Sequence, residues 1–169
     1  MSAILAAWNA TDEATALDAM TACCGARRWA AAMVALRPIE SPEKLGAAAD
    51  KIWSTMDVPD WMEAFACHPR IGERKAPDAT AKSREWSKQE QSSAAAADAG
   101  ILARLAEGNA IYEARFGFTY IVCATGKTAE EMLAILERRL QNDRETELRK
   151  AAEQQRQITR IRLRKWLAE

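Results

Sequence analysis

The amino-acid sequence predicts an all-α fold, organised as a single compact domain of several helices. Alanine and the helix formers Glu, Lys, Arg and Leu dominate the chain, whereas β-branched residues are sparse. Apolar residues recur at helical spacing, and glycine and proline fall between these periodic stretches. No linker or internal repeat divides the chain. We therefore expect residues 1–169 to form one domain around one sizeable core.

Capping residues indicate where the helices begin. Thr11 precedes a first acidic turn, Ser41 precedes Pro42 at a first helical position, and Thr128 with Glu131 fits a capping box. Glycines indicate stops at Gly25, Gly108 and Gly126. The predicted helices lie near residues 12–23, 27–35, 42–55, 59–66, 83–115 with a possible break near Gly100 or Gly108, 128–141 and 143–167.

Two stretches predict how the core is built. The last helix carries an apolar stripe, which should pack along one side of the core. Its members are Leu148, Ala151, Ala152, Ile158 and Ile161. Residues 116–124 break the helical pattern, because a glycine interrupts them and β-branched and aromatic residues cluster there. We expect an extended segment that crosses the core at this point.

The bulk composition excludes several classes of partner. Lys plus Arg and Asp plus Glu number 24 each, so no overall field attracts nucleic acid or anionic lipid. No apolar run approaches the ~18 residues of a membrane helix, and the start lacks a signal-peptide pattern. The 4 cysteines form no CxxC pair and no zinc-ligand spacing. We expect a cytoplasmic protein with free thiols, no metal, and no nucleic-acid or membrane partner.

His68 is the only histidine of the chain. It is therefore the only side chain whose unperturbed pKa permits proton exchange near neutrality. Pro69 should end the preceding helix at this point, because it disfavours helical geometry in the residue before it. A histidine there can bond terminal carbonyls as a helix cap or act in acid–base catalysis, and its position alone does not decide between the two.

Ser87 and Glu90 form a second candidate cluster with Gln91. The spacing Ser87-x-x-Glu90 is also that of a capping box, which would open a helix through the following alanine run. On this structural interpretation both side chains bond to backbone amides. Glu85 is the other carboxylate near this stretch.

Arg162 follows a core-facing isoleucine in the last helix, so its guanidinium could reach inward and bind a planar carboxylate or amide. The neighbouring basic residues of that helix are more typical of a solvated face. The sequence shows no nucleophilic triad, no glycine-rich phosphate loop and no set of metal ligands. The chemistry that remains is acid, base and electrostatic.

Six stretches, taken in order, resemble the family of enzymes that decarboxylate 2-oxo-4-hydroxy-4-carboxy-5-ureidoimidazoline (OHCU). Together they span nearly the whole chain. They are Trp29 followed by Arg37-Pro38, then His68-Pro69-Arg70-Ile71-Gly72, Ser87-x-x-Glu90-Gln91, Asn109-x-x-Tyr112-x-x-x-Phe116-Gly117-Phe118 running into Ile121-Val122-Cys123-Ala124, Arg138-Arg139-Leu140-x-Asn142, and Ile158-x-x-x-Arg162-Leu163.

The resemblance implies an all-helical homodimer that converts OHCU to (S)-allantoin and CO2 with neither metal nor organic cofactor. It implies that His68 is the acid–base residue and Glu90 its carboxylate partner. It assigns substrate binding to Pro69, Ser87, Gln91, Ile121, Val122, Cys123, Ala124 and Arg162.

Two other functions remain open from the residues themselves. The same scaffold could act on another small ureide or hydroxy acid, with the same histidine and carboxylate. Alternatively, the chain could be a non-catalytic helical module that dimerises through apolar faces, with His68 as a cap. In that case, replacing His68 would lower stability by ~1 kcal/mol and remove no activity.

Overall fold

The computed structural model describes residues 2–73 and 76–169. These residues form ten α-helices and no β-strand, which confirms the all-α prediction. In chain order the helices are α1 (Ala3–Ala10), α2 (Glu13–Cys23), α3 (Arg27–Ala35), α4 (Pro42–Trp53), α5 (Val58–Ala66), α6 (Ala81–Glu90), α7 (Ser92–Ala95), α8 (Ala99–Phe116), α9 (Ala129–Arg139) and α10 (Arg144–Leu167). No helix in the described part of the chain is long and apolar enough to cross a bilayer.

The helices belong to two compact units, which we treat separately. The terminal unit comprises the residues before Phe65 together with Arg156–Glu169, and the central unit comprises Phe65–Gln155. That the whole chain forms one domain stays a prediction.

The core of the terminal unit is built around α3, which packs against both α2 and α4. Trp29 of α3 is fully buried, and its indole N–H donates to the carbonyl of Ala49 at 3.1 Å. Trp8 is buried in the same way and donates to Ala16 at 3.0 Å. The sequence did not predict α1, which carries Trp8, because this helix begins without a side-chain cap at Ser2.

Most of the predicted caps are confirmed. Ser41 caps α4 with Pro42 in its first turn, and both hydrogen bonds of the Thr128 capping box are present at α9. The cap of α2 is Asp12, not Thr11. The carboxylate of Asp12 accepts from the backbone N–H of Thr15 at 2.9 Å, so the helix begins one residue later.

The long helix predicted over residues 83–115 is three helices. The helical conformation is interrupted after α6 and again before α8. The carboxylate of Asp98 caps α8 by accepting from Ile101 N–H at 2.9 Å. The predicted break near Gly100 is confirmed, since residues 96–98 are not helical, whereas a break near Gly108 is wrong, because α8 is continuous through that glycine. A Cβ at Gly108 would lie 2.6 Å from Cδ2 of Leu136, so this glycine permits close packing of α8 against α9. No helix ends at Gly126, which lies in the turn before α9.

A buried polar network contacts the irregular segment of residues 117–124. Glu147, which is fully buried, accepts from Arg139 Nε at 2.9 Å, from Asn142 Nδ2 at 2.8 Å and from the Tyr112 hydroxyl. Burial raises the pKa of Tyr112, which keeps its hydroxyl protonated as a donor. Arg139 Nη1 also donates to the carbonyl of Ile121 at 2.5 Å, and this bond anchors the segment.

The segment itself is non-helical and buried, as predicted. Phe118 and residues 120–124 are each at most 6% exposed, and the rings of Phe118 and Tyr120 pack on Tyr112. On α10, the predicted stripe is buried from Leu148 to Ile158, and Ile161 is half-buried.

Candidate active site

His68 lies just past the end of α5, in the central unit. Its backbone N–H donates to the carbonyl of Phe65 at 3.1 Å, which continues the last helical turn. Its ring atom Nε2 lies within hydrogen-bond distance of Oε1 of Gln155, at 2.7 Å, and Gln155 is fully buried. This partner is a side chain on α10, not one of the terminal carbonyls that the capping interpretation invokes.

The loop that follows His68 is anchored to two neighbouring helices. Arg70 forms a two-pronged ion pair with Glu113 of α8, with N···O distances of 2.7 and 2.5 Å. Hydrogen bonding to Glu113, reinforced by its negative charge, raises the pKa of Arg70. Gly72 adopts a φ of +88°, which a side chain would strain, and its N–H donates to Oε1 of Gln91 at 3.1 Å. The loop with His68 is thereby attached to the end of α6.

Ser87 and Glu90 lie in the last turns of α6, so the capping-box interpretation is wrong. The helix begins at Ala81, and its cap is Thr80, whose hydroxyl accepts from Ser83 N–H at 3.0 Å. Ser87 is 2% exposed, and Glu90 is half-buried. The spacing of these residues places them on neighbouring positions of one helix face.

A cavity of about 660 Å³ in the central unit is lined by three of the predicted substrate-binding residues, Pro69, Ser87 and Gln91. Glu85 also lines it, and Glu90 is not among its lining residues. Because successive residues of a helix are about 100° apart, Glu90 lies about 60° around α6 from Ser87 and about 140° from Glu85. The two carboxylates are therefore in different surroundings, and substitution can separate their roles.

Residues 121–124 are buried, and side chains of the protein hold several of their backbone groups. Cys123 N–H donates to Oε1 of Gln154 at 2.9 Å, and its carbonyl accepts from Lys127 Nζ at 2.7 Å. The carbonyl of Ile121 is bonded to Arg139. These contacts fix the course of the backbone at the segment for which the family resemblance implies substrate binding.

Arg162 lies in the part of α10 that belongs to the terminal unit. It is 2% exposed, as expected for a guanidinium that reaches inward. Its role in binding the substrate stays a prediction.

The sequence did not identify Gln154 and Gln155, which hold Cys123 and His68 respectively. One signal was present. Gln155 lies four residues after Ala151 and three before Ile158, so a polar side chain occupies a position on the apolar stripe of α10. A polar residue on a buried stripe requires a hydrogen-bond partner, and here that partner is the only histidine.

No group of three or more His, Cys, Asp or Glu side chains is placed to hold a metal ion in the residues that the structure describes. The titratable groups around the loop include His68, Arg70 and nearby carboxylates such as Glu113. The fold and site thus define a helical protein with the groups required for acid–base chemistry on a small molecule.

Comparison with known proteins identifies the family. The family model for OHCU decarboxylase matches residues 9–164, and the chain belongs to that family. It is 34% identical over 136 residues to 2-oxo-4-hydroxy-4-carboxy-5-ureidoimidazoline decarboxylase of Amia calva, which covers 79% of this chain and 77% of that protein. A crystal structure of OHCU decarboxylase in the presence of (S)-allantoin matches with a TM-score of 0.78 and 35% identity, covering 90% of this chain and 99% of the other.

A plant relative is longer than this chain. The uric acid degradation bifunctional protein TTL of Arabidopsis thaliana is 39% identical over 149 residues. The match covers 88% of this chain but 46% of the plant protein, so the chain corresponds to less than half of that relative.

Proposed function

We propose that this chain converts OHCU to (S)-allantoin and CO2, as a step of urate breakdown. The observation that carries the proposal is the hydrogen bond from Gly72 N–H to Gln91, because it joins the loop of His68 to the helix end that bears Ser87 and Glu90. Two motifs that are separate in the sequence are thereby neighbours in one unit. Membership of the OHCU decarboxylase family supports the same reaction.

The proposed reaction requires few catalytic groups from the protein. Its carboxylate is on a carbon next to a ring carbon that is doubly bonded to nitrogen. When CO2 leaves, the electron pair flows into that carbon–nitrogen system, so the substrate supplies its own electron sink. We therefore propose a reaction without a cofactor, in which the protein binds the substrate and moves a proton.

His68 is the proposed acid–base residue, and Glu90 is its proposed carboxylate partner. His68 protonates the intermediate or acts through the substrate hydroxyl, and the face that receives the proton sets the handedness of allantoin. Glu90 orients the ring and disfavours the substrate carboxylate by like charge. Pro69, Ser87, Gln91, residues 121–124 and Arg162 hold the substrate.

The proposal extends to the setting of the enzyme. We propose a homodimer in the cytoplasm with OHCU as its small-molecule ligand, and without nucleic-acid or membrane partners. Sedimentation velocity of the purified chain tests the dimer, since a single species at monomer mass over a range of concentrations would contradict it.

The experiment that tests the reaction is a rate measurement on fresh substrate. Urate, urate oxidase and hydroxyisourate hydrolase generate OHCU in the cuvette, and its loss is followed by ultraviolet absorbance. His68→Ala should lower turnover by about 10²- to 10⁴-fold, the usual contribution of positioned proton transfer, while substrate still binds. Cys67→Ala, at the adjacent half-buried position, is the matched control and should retain wild-type turnover.

Two outcomes would contradict the proposal. If the wild-type chain does not accelerate the loss of OHCU, the decarboxylase function is wrong. If His68→Ala has wild-type turnover, the chemistry does not use the histidine.

A further inference from the structure

We propose that Gln155 is a positioning residue, which sets the orientation and tautomer of the His68 ring. The inference rests on the proposed function, because it assigns the atom of His68 that exchanges the proton. Its basis is the 2.7 Å contact between Nε2 and the amide oxygen of a fully buried glutamine.

The amide oxygen determines which ring nitrogen keeps its proton. A carboxamide oxygen can only accept, so the ring donates from Nε2 whether it is neutral or charged. The proton that His68 gives or takes during the reaction is therefore the one on Nδ1. A fixed tautomer matters for catalysis because a ring held in the wrong tautomer presents a donor where an acceptor is required.

Gln155 is suited to hold the ring in place. It lies in the interior of α10, a helix of 24 residues, and Leu148, Ala151 and Ile158 are buried on the same stripe. Burying an amide on an apolar stripe is costly unless it is hydrogen-bonded. The hydrogen bond to His68 contributes to offsetting that cost, which explains why a polar residue occupies this buried position.

The neighbouring glutamine couples the histidine to the other candidate segment. Gln154 accepts from Cys123 N–H at 2.9 Å, so consecutive residues of one helical turn hold the loop of His68 and residues 121–124. A change in this turn of α10 should alter the positions of both.

The single histidine makes a direct test possible by NMR, with no enzymatic assay. The ¹⁵N shifts of the His68 ring report its tautomer, and their pH titration reports its protonation. We expect the Nε2–H tautomer in the wild-type chain. Gln155→Leu should abolish this preference. Gln155→Glu should retain it and move the titration to higher pH, by about one unit, because a carboxylate stabilises the charged ring.

Kinetics on OHCU give a second readout. Gln155→Leu should lower kcat by about 10- to 100-fold with little change in KM, the range found when the hydrogen-bond partner of a metal-ligating histidine is removed. Gln155→Glu should recover most of kcat and shift the pH–rate profile in the same direction as the NMR titration. The matched controls are Gln141→Leu and Gln141→Glu, at an exposed position of the same unit, which should change neither readout.

The NMR result separates this inference from the proposed reaction. An Nδ1–H tautomer in the wild-type chain, or an unchanged ring signal in Gln155→Leu, would overturn the positioning role even if decarboxylation is fast. If Gln155→Leu does not fold, Gln155→Glu decides, and a ring titration that does not move would also overturn it. An inactive wild-type chain with the Nε2–H tautomer would instead refute the reaction and leave the role of Gln155 in place.

Discussion

Replacing Glu147 by Gln should severely destabilise the central unit, because it removes the only carboxylate of a buried network. Glu147 is fully excluded from solvent, and the side chain of Arg139 is 7% exposed. Arg139 Nη2 lies 2.9 Å from Oε2 of Glu147. Glutamine preserves the shape of the side chain. However, it removes the charge and replaces one acceptor oxygen by an NH2 donor. At the Oε2 position this donor faces the donors of Arg139 and Tyr112, and at the Oε1 position it faces the donor of Asn142.

The expected loss is about 3–5 kcal/mol, the range measured when one partner of a buried ion pair is removed and the other charge is left uncompensated. The free energy of unfolding of a native domain is about 5–15 kcal/mol, so the expected loss is a large fraction of the total stability. Urea denaturation followed by far-ultraviolet circular dichroism measures it. Arg139→Met combined with Glu147→Gln should recover part of the loss, because the uncompensated guanidinium is gone.

A matched control lies two residues earlier on the same helix. Glu145 pairs with Arg149, and both side chains are about three-quarters exposed, at 75% and 73%. Glu145→Gln should therefore produce little measurable change, since exposed pairs are screened by water and salt. A loss below about 1 kcal/mol for Glu147→Gln would contradict the prediction, because a loss of that size is typical of an exposed ion pair.

Three further predictions concern the close packing of α8 on α9, the pH dependence of stability and the two candidate carboxylates. Gly108→Ala should destabilise the chain by about 1–3 kcal/mol in urea denaturation, because the new methyl group would overlap Leu136, and the same substitution should cost less when it is made in a Leu136→Ala background. Asp143 has a pKa lowered by its hydrogen bonds from Thr146, so its stabilising effect is present above the unfolded value of about 3.9 and is lost as pH falls through the lower folded value. Asp143→Asn should therefore show a shallower fall in melting temperature between about pH 5 and pH 2 than the wild type does, and an identical fall would contradict the prediction. Glu90→Gln should lower turnover on OHCU far more than Glu85→Gln, and the reverse order would assign the carboxylate role to Glu85.

Features that depend on neighbouring residues were predictable from the sequence. The caps at Ser41 and Thr128 were correct because a cap is a hydrogen bond between residues three apart, and the sequence shows both partners. The same capping pattern gave a wrong interpretation for Ser87 and Glu90. Their spacing fits a capping box, but the helix begins earlier, at Ala81. Local spacing does not reveal how far a helix extends in the N-terminal direction.

Features that depend on distant contacts were not predictable. Gly108 resembles a helix stop by composition, yet the close approach of α9 gives it a place inside a continuous helix. Gln155 is 87 positions from His68, and only the fold reveals their hydrogen bond. The identity of the candidate site came from the resemblance of ordered motifs, whereas the residues that hold the site in place came from the structure.

We propose that this chain decarboxylates OHCU and that His68 controls the delivery of the proton. The most direct test is circular dichroism of the allantoin formed when urate, urate oxidase and hydroxyisourate hydrolase supply fresh substrate. We expect rapid formation of the (S) enantiomer with the wild-type chain and slow, racemic product with His68→Ala. Slow, racemic allantoin in every mixture, or a single enantiomer formed at the wild-type rate by His68→Ala, would contradict it.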